Sequence, residues 1–467
     1  MLHPALVLFA ALAADTPSDP ALDPAVTVFR RVHVVTADGD RVLEHATVVV
    51  ANGRIESIGD GRSLQLPPDA RVVDGNGERW LIPGLVDMHV HVPPDDGAKN
   101  GSTWRALSLL LVHGVTTARG LFGHASHPAL RDAIAAGTTL GPTLYVAGPA
   151  LHDGNCASSE AALAAVASQH EAGFDLIKSH EVTDPAVWST VATRARELEM
   201  PVAGHVPNAI GLDRALDARQ QIEHLDGFAY QLLPDPAAID PFGQFPSPQA
   251  LDAIDAARID PLARRVADAA SWNTPTLALF EFLSDPSPSA ESLLARSEMR
   301  YAAKGARDAW AKQWEHHREI MASLPDDFGP RFARMRRNLV RALDAAGAKL
   351  MAGSDSPQLF QLTGFALHAE IEALEHAGLS PLAALRTATS NPAEYLRSCP
   401  RQGSARCVAP DFGRIEVGLR ADLVLLRADP RATVANTRAI DGVMLRGRWL
   451  DRAALDALAK QVEDSVD

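Results

Sequence analysis

Cysteine is scarce in this chain, with three in 467 residues. No two of them form a CxxC pair, which excludes a zinc site of that type. Basic residues are also short: Lys and Arg number 44 against 58 Asp and Glu, for a formal net charge of −14. No basic run is interleaved with aromatics, and aromatics make up only 5% of the chain. Together these argue against nucleic acid or an anionic membrane surface as a partner. Beyond the N-terminus, no run is long and apolar enough for a transmembrane helix. What remains, 46% hydrophobic and 22% charged, is the composition of a soluble globular protein. The length suits one large enzyme domain plus a smaller one.

The first residues, MLHPALVLFAALAADTPSDP, read as an export signal followed by a linker, over 1–24. Leu6 to Leu12 is a short apolar core, and Ala11-Leu12-Ala13 fits a small-x-small cleavage site, although no Lys or Arg precedes it. Export to the periplasm or the medium is therefore expected. In such an oxidising compartment, Cys399 and Cys407 would close the small loop SCPRQGSARC, leaving Cys156 free.

Residues 25–80 read as short strands with turn residues between them, such as Asn52-Gly53 and Asp74-Gly75. The same texture returns in 401–467, in GRIEVGLRADLVLLRADP and AIDGVMLRGRWLDR. Both chain ends are expected to build one small β-sandwich domain. Between them, 81–400 alternates strand-like apolar runs with helical patterns, which predicts an α/β fold, a closed (β/α)8 TIM-like barrel. A helical insertion over about 284–345, carrying Trp310, Trp314, His316 and His317, reads as a lid beside the active-site face, with a solvated helical surface as the plainer alternative.

His89 and His91, in GLVDMHVHV, lie two apart at the end of an apolar strand. Residues i and i+2 of a strand share a face, so both imidazoles point the same way. Left unpaired they would cost desolvation energy, and a divalent metal would use both nitrogens. Other strand ends carry matching groups: Lys178 in GFDLIKSH, His205 in MPVAGHVP, His224 in QIEHLDG and Asp355 in KLMAGSDSP. Singly, each has an ordinary reading: a surface lysine, core or turn histidines, and a helix N-cap in Ser354-Asp355-Ser356-Pro357. Jointly, in order along successive strand ends, they read as a metal site.

The set IPGLVDMHVH, FDLIKSH, AGHVP, IEHLDG and MAGSDSP resembles the amidohydrolase superfamily of metal-dependent hydrolases. The likeness runs from about Val28 to Arg452. It is closest in pattern to the binuclear branch that includes prolidase-like and Xaa-Arg dipeptidases and imidazolonepropionase-like hydrolases. The resemblance implies two divalent metal ions, zinc by default. His89, His91 and Asp355 would hold one and His205 and His224 the other, with Lys178 bridging them as a CO2-derived carbamate. A hydroxide between the metals would be the nucleophile, and Asp355 the general base and acid. His152, His180 and Tyr230 are candidate substrate contacts.

The implied activity is hydrolysis of an amide bond in a small molecule, such as a dipeptide or an N-acyl amino acid. Cyclic-amide hydrolysis, deamination and lactone or ester hydrolysis are the alternatives within the superfamily, and a metal-free binding barrel is the alternative outside catalysis. Lys178 is present and Asn208 stands where a deaminase usually carries Glu, which disfavours deamination. Ser179-His180-Glu181 departs from the small-residue run common in these dipeptidases, which bears on the substrate more than on the metals. No macromolecular partner is implied, and nothing in the sequence opposes a homo-oligomer.

Overall fold

The computed structural model describes residues 26–466 apart from 61–66, 96, 99, 235–244 and 398–410. The export signal and the Cys399–Cys407 loop lie outside the described residues. Cys156 is buried and free.

The first four strands are β1 (Val26–Val35), β2 (Val42–Ala51), β3 (Arg54–Gly59) and β4 (Arg71–Pro83). The middle of the chain carries β5 (Leu85–Val90), β6 (Val115–Gly120), β7 (Thr143–Val146), β8 (Ile177–Ser179), β9 (Val202–Gly204), β10 (Gln221–Glu223), β11 (Trp272–Thr274) and β12 (Lys349–Leu350). The last three are β13 (Leu423–Leu426), β14 (Ile440–Leu445) and β15 (Arg448–Asp451).

Both chain ends enter one seven-stranded sheet, in the order β15-β14-β13-β4-β1-β2-β3. Its valine-rich strands suit a pleated, half-buried surface. The expected sandwich is thus represented, among the described residues, by one sheet from both ends. Asn52 and Gly53 both take positive φ, 51° and 75°, and close the β2–β3 hairpin as the Asn-Gly pair predicts. Asp74-Gly75 is not a turn. It lies within β4, where the pairing with β1 shifts register between Arg30 and Val32.

The eight middle strands pair in parallel, as β5-β6-β7 and as β12-β11-β10-β9-β8. The described strands therefore form two sheets rather than one continuous closed sheet. Isolated parallel bridges join their margins, Ala147 with Leu176 and Leu151 with Ser179 on one side and Val90 with Ser356 on the other. Pairing shrinks to isolated bridges there because β7 and β8 are only four and three residues long and β12 only two. Helices alternate with the strands, for example Ser159–Glu171 and Pro185–Glu197, started by Ser158 and Asp184 whose side chains accept from free backbone N–H groups. One apolar core, containing Val90, Val146, Ile177, Ile222 and Leu350, runs through both sheets.

The charged stretch before β12 is helical, with Lys304–Ala322 and Phe328–Ala345 as its long members. Among the described residues, no helix is long and apolar enough to cross a membrane. One close approach matters for the site. A Cβ at Gly353 would stand 2.7 Å from the Cβ of His89 and 2.5 Å from Thr274 Cγ2. Only glycine lets the chain pass directly behind His89 on its way to Asp355.

Candidate metal centre

His89 lies in β5 and His91 just past its end. Lys178 lies in β8, while His205 and His224 follow β9 and β10 at once and Asp355 lies beyond β12. Short parallel strands that end together thus bring five separate segments to one place. His89, His91 and Asp355 form a group able to hold a cation, with ligand atoms all within 4.8 Å of one another. Nε2 of His89 and Nε2 of His91 each stand 3.1 Å from the same Asp355 oxygen, Oδ1. His224 joins them, with Nδ1 3.7 Å from Asp355 Oδ2 and its ring 4.8 Å from that of His89. The ring of His205 stacks on His224 at 4.6 Å, and His180 meets His205 edge-on at 4.4 Å.

Each buried imidazole is held by a partner on Nδ1. His89 donates to Glu223 Oε2 at 2.8 Å and His205 to Asp226 Oδ2 at 2.7 Å. Glu223 is itself held by Arg119, whose Nη2 donates to Oε1 at 2.8 Å, so it stands as an acceptor. His224 Nδ1 lies 2.8 Å from Thr276 Oγ1, and that hydroxyl gives its own proton to the Pro275 carbonyl at 2.8 Å. The hydroxyl can therefore only accept from His224. In all three rings Nδ1 carries the proton and Nε2 keeps a bare lone pair, the tautomer that ligates metals.

Electrostatics agree. Burial pushes His89 and His224 well below the usual imidazole range, so both are neutral. Burial, then the neighbouring His205, takes His180 down to about 3. Burial alone would raise Asp355, but His89, then His91 and Lys178, hold it at about 2, ionised. Burial likewise lowers Lys178, which favours its neutral amine, and Nζ has no hydrogen-bond partner among the described residues.

The bare His89 Nε2, 3.1 Å from a carboxylate oxygen, is an acceptor facing an acceptor. Such an arrangement is repulsive until a proton or a cation lies between them. The buried His89 and His224 are poor bases here, so the donor set fits a divalent cation, with His89, His91 and Asp355 as its nearest holders.

These features have counterparts among known proteins. Residues 80–450 match the profile of the amidohydrolase family. The chain belongs to the amidohydrolase family. Locally, it is 44% identical over 71 residues to the imidazolonepropionase of Aromatoleum aromaticum, a match that covers 14% of this chain and 16% of that protein. Whole-chain similarity appears in solved structures. A bottromycin amidohydrolase superposes with a TM-score of 0.67 and 25% identity, over 96% of this chain and 94% of that one. A putative prolidase from Bifidobacterium longum gives 0.63 and 24%, over 94% of this chain and 99% of that one.

Not every predicted residue joins the cluster. His152 sits in an exposed turn, where Nδ1 accepts from the Gly154 amide at 3.1 Å. Tyr230 is buried and lines a small cleft beside the cluster, between residues 225–230 and the helix Phe328–Ala345. The supporting groups Glu223, Asp226, Arg119 and Thr276 were not among the sequence candidates. Glu223 and Asp226 flank His224 in IEHLD, and two acids beside a buried strand-end histidine were a signal that could have found them. Arg119 and Thr276 carry no such signal, because their partners are about a hundred and about fifty residues away.

Proposed function

We propose that the chain hydrolyses an amide bond in a small molecule, a dipeptide or an N-acyl amino acid, as a metal-dependent enzyme of its family. The observation that carries this reading is the convergence of His89 Nε2 and His91 Nε2 on one oxygen of an ionised, buried carboxylate. His89, His91 and Asp355 would hold one divalent ion, and His205 and His224 a second, with zinc the default for this donor set. Lys178 supports the two-metal reading: burial favours the neutral form of its Nζ, which has no hydrogen-bond partner among the described residues, and the neutral amine can add CO2, lose one proton and become a carbamate anion. A bound ion would polarise the scissile carbonyl and lower the pKa of water.

In this reading the chain's own groups manage the proton. Asp355 takes one from the attacking water and returns it to the leaving nitrogen. The carbon–oxygen bond forms, the carbon–nitrogen bond breaks, and an acid and an amine leave. Glu223 and Asp226 keep the imidazoles in the ligating tautomer throughout. The two parallel sheets, bridged at both margins, support a (β/α)8 barrel, with the seven-stranded sheet as a separate small domain.

Metal-loaded protein should release amine from a panel of dipeptides and N-acyl amino acids, and chelation should abolish that release. Silence across the panel with metal bound would refute amide hydrolysis of this class. The local likeness to an imidazolonepropionase makes cyclic amides the next substrates to assay.

A further inference from the structure

Arg336 is a buried cation that the chemistry above leaves unused. It lies on the helix Phe328–Ala345, 3% exposed, in line with the buried Phe332, Met335 and Leu339. Its Nη2 donates to the Pro275 carbonyl at 2.8 Å, and its Cζ lies 3.9 Å from the centre of the Phe280 ring. Its Nε is buried without a hydrogen-bond partner among the described residues. No carboxylate among the described residues lies within ion-pair distance of it. Burial lowers Arg336 only to about 10, so it is charged at neutral pH. Burial pushes nearby Glu370 up to about 8, so that acid is neutral there. A buried guanidinium that, among the described residues, meets one carbonyl and two ring faces but forms no ion pair is costly unless an anion joins it.

The place is also informative. Arg336 lines the cleft whose other wall is Leu225, Asp226 and Tyr230, the turn directly after His224. The Asp226 carboxylate there is committed to His205. Arg336 and His224 share a support: Pro275 accepts from the guanidinium, and the next residue, Thr276, holds the His224 ring. Phe280 lies under the guanidinium and 5.9 Å from the His224 ring. The cleft therefore lies beside the cluster, with the Arg336 guanidinium and the Asp226 carboxylate set among apolar side chains.

We propose that Arg336 anchors a carboxylate on the amine-side residue of the substrate, and that this residue's apolar side chain lies against Tyr230, Phe332, Met335 and Leu339. The proposal rests on the amide-hydrolase reading for what happens to the anchored molecule. It explains a buried charge that forms no ion pair among the described residues, because a guanidinium fork matches a carboxylate in two hydrogen bonds. The substrate class is thereby narrowed to N-acyl or N-aminoacyl derivatives of apolar amino acids with a free carboxylate.

The test compares N-acetyl-L-leucine with N-acetyl-L-leucinamide on full-length, metal-loaded protein, by calorimetric binding and by amine release. Arg336→Gln and Arg336→Lys are run alongside, with metal content measured in each. The wild type should favour the acid by about tenfold or more, as sites built around a polar group reject analogues that lack it. Arg336→Gln should bring the ratio near one through KM, with metal content unchanged. Arg336→Lys should keep part of the preference and serves if the glutamine variant does not fold. Equal handling of acid and amide by the wild type, no binding of either, or an undiminished preference in Arg336→Gln would overturn the proposal. Arg336-dependent binding of the acid without amine release would uphold it and refute amide hydrolysis instead.

Discussion

Glu223 joins two structures that can be separated by mutation. One oxygen accepts from Arg119 Nη2 and the other from His89 Nδ1, both at 2.8 Å, and both Glu223 and Arg119 are at most 1% exposed. Glu223→Gln keeps the shape but offers only one accepting oxygen to two donors, and turns an NH2 group toward the donor it fails to accept. Removing one member of a buried ion pair costs about 3–5 kcal/mol. Glutamine can still accept one bond, so the loss should sit near the lower figure, about 3 kcal/mol. Separately, His89 loses the carboxylate that fixes its tautomer, and metal affinity should fall by about 10–100-fold, as when other outer partners of ligating histidines are removed.

The two effects are read by different assays. Stability comes from urea unfolding of the metal-free protein, and affinity from competition against a chelator series. Pairing Glu223→Gln with Arg119→Met sharpens the separation. Without the guanidinium, the glutamine no longer leaves a buried charge unpaired, so much of the stability should return. The recovery should be incomplete, because Arg119 also donates to the Met88 carbonyl at 2.7 Å. Affinity should not return, because His89 still lacks its carboxylate. A Glu223→Gln protein that binds metal as tightly as the wild type would refute the role given to the Nδ1 partners.

Two further outcomes are expected. Lys178→Ala should lose most bound metal and most turnover, and added formate or acetate should restore part of both; full activity with two metals in that variant would sink the carbamate. Glu370, raised by burial to about 8 from an ordinary 4.5, holds a proton in the folded state that the unfolded chain releases above that ordinary value. Stability from this group is therefore greatest below pH 4.5 and is lost as pH rises toward 8, at up to about 1.4 kcal/mol per pH unit. Glu370→Gln should flatten that slope in urea unfolding between pH 5 and 8, and parallel pH profiles for the two proteins would contradict it.

The clustered residues were legible because each sits at the end of an apolar strand run, a place where a polar side chain needs a reason. His89 with His91 gave the clearest sign, since strand alternation alone puts both on one face. The parallel α/β middle and the shared terminal sheet were legible from periodicity and turn residues. Asp74-Gly75 misled, because the same dipeptide that closes a hairpin also serves a register shift inside a long strand. Arg336 went unread because its helix is rich in arginine and looked like a solvated surface. Yet it falls on the apolar stripe of Phe332, Met335, Leu339 and Leu343, and an arginine there is the exception that calls for a ligand or a partner. His152, a candidate substrate contact, stands in an exposed turn close enough to His180 to act on its charge.

Four consecutive residues organise much of the cluster. Glu223 reaches the His89 ring, His224 enters the cluster itself, Leu225 packs in the core, and Asp226 reaches the His205 ring. An extended strand would send these side chains alternately to two faces, which could not serve three imidazoles on one side. The chain instead takes positive φ at His224 and Leu225, 61° and 54°, conformations that non-glycine residues adopt at a cost. Hydrogen bonds hold the strained pair in place: the His224 amide donates to the Thr274 carbonyl and its ring to Thr276. The strain is confined to the point where β10 ends and its two flanking acids must turn toward different histidines. That is the pattern expected when backbone geometry is set by the site rather than by the strand, and it makes this short segment the structural centre of the proposed chemistry.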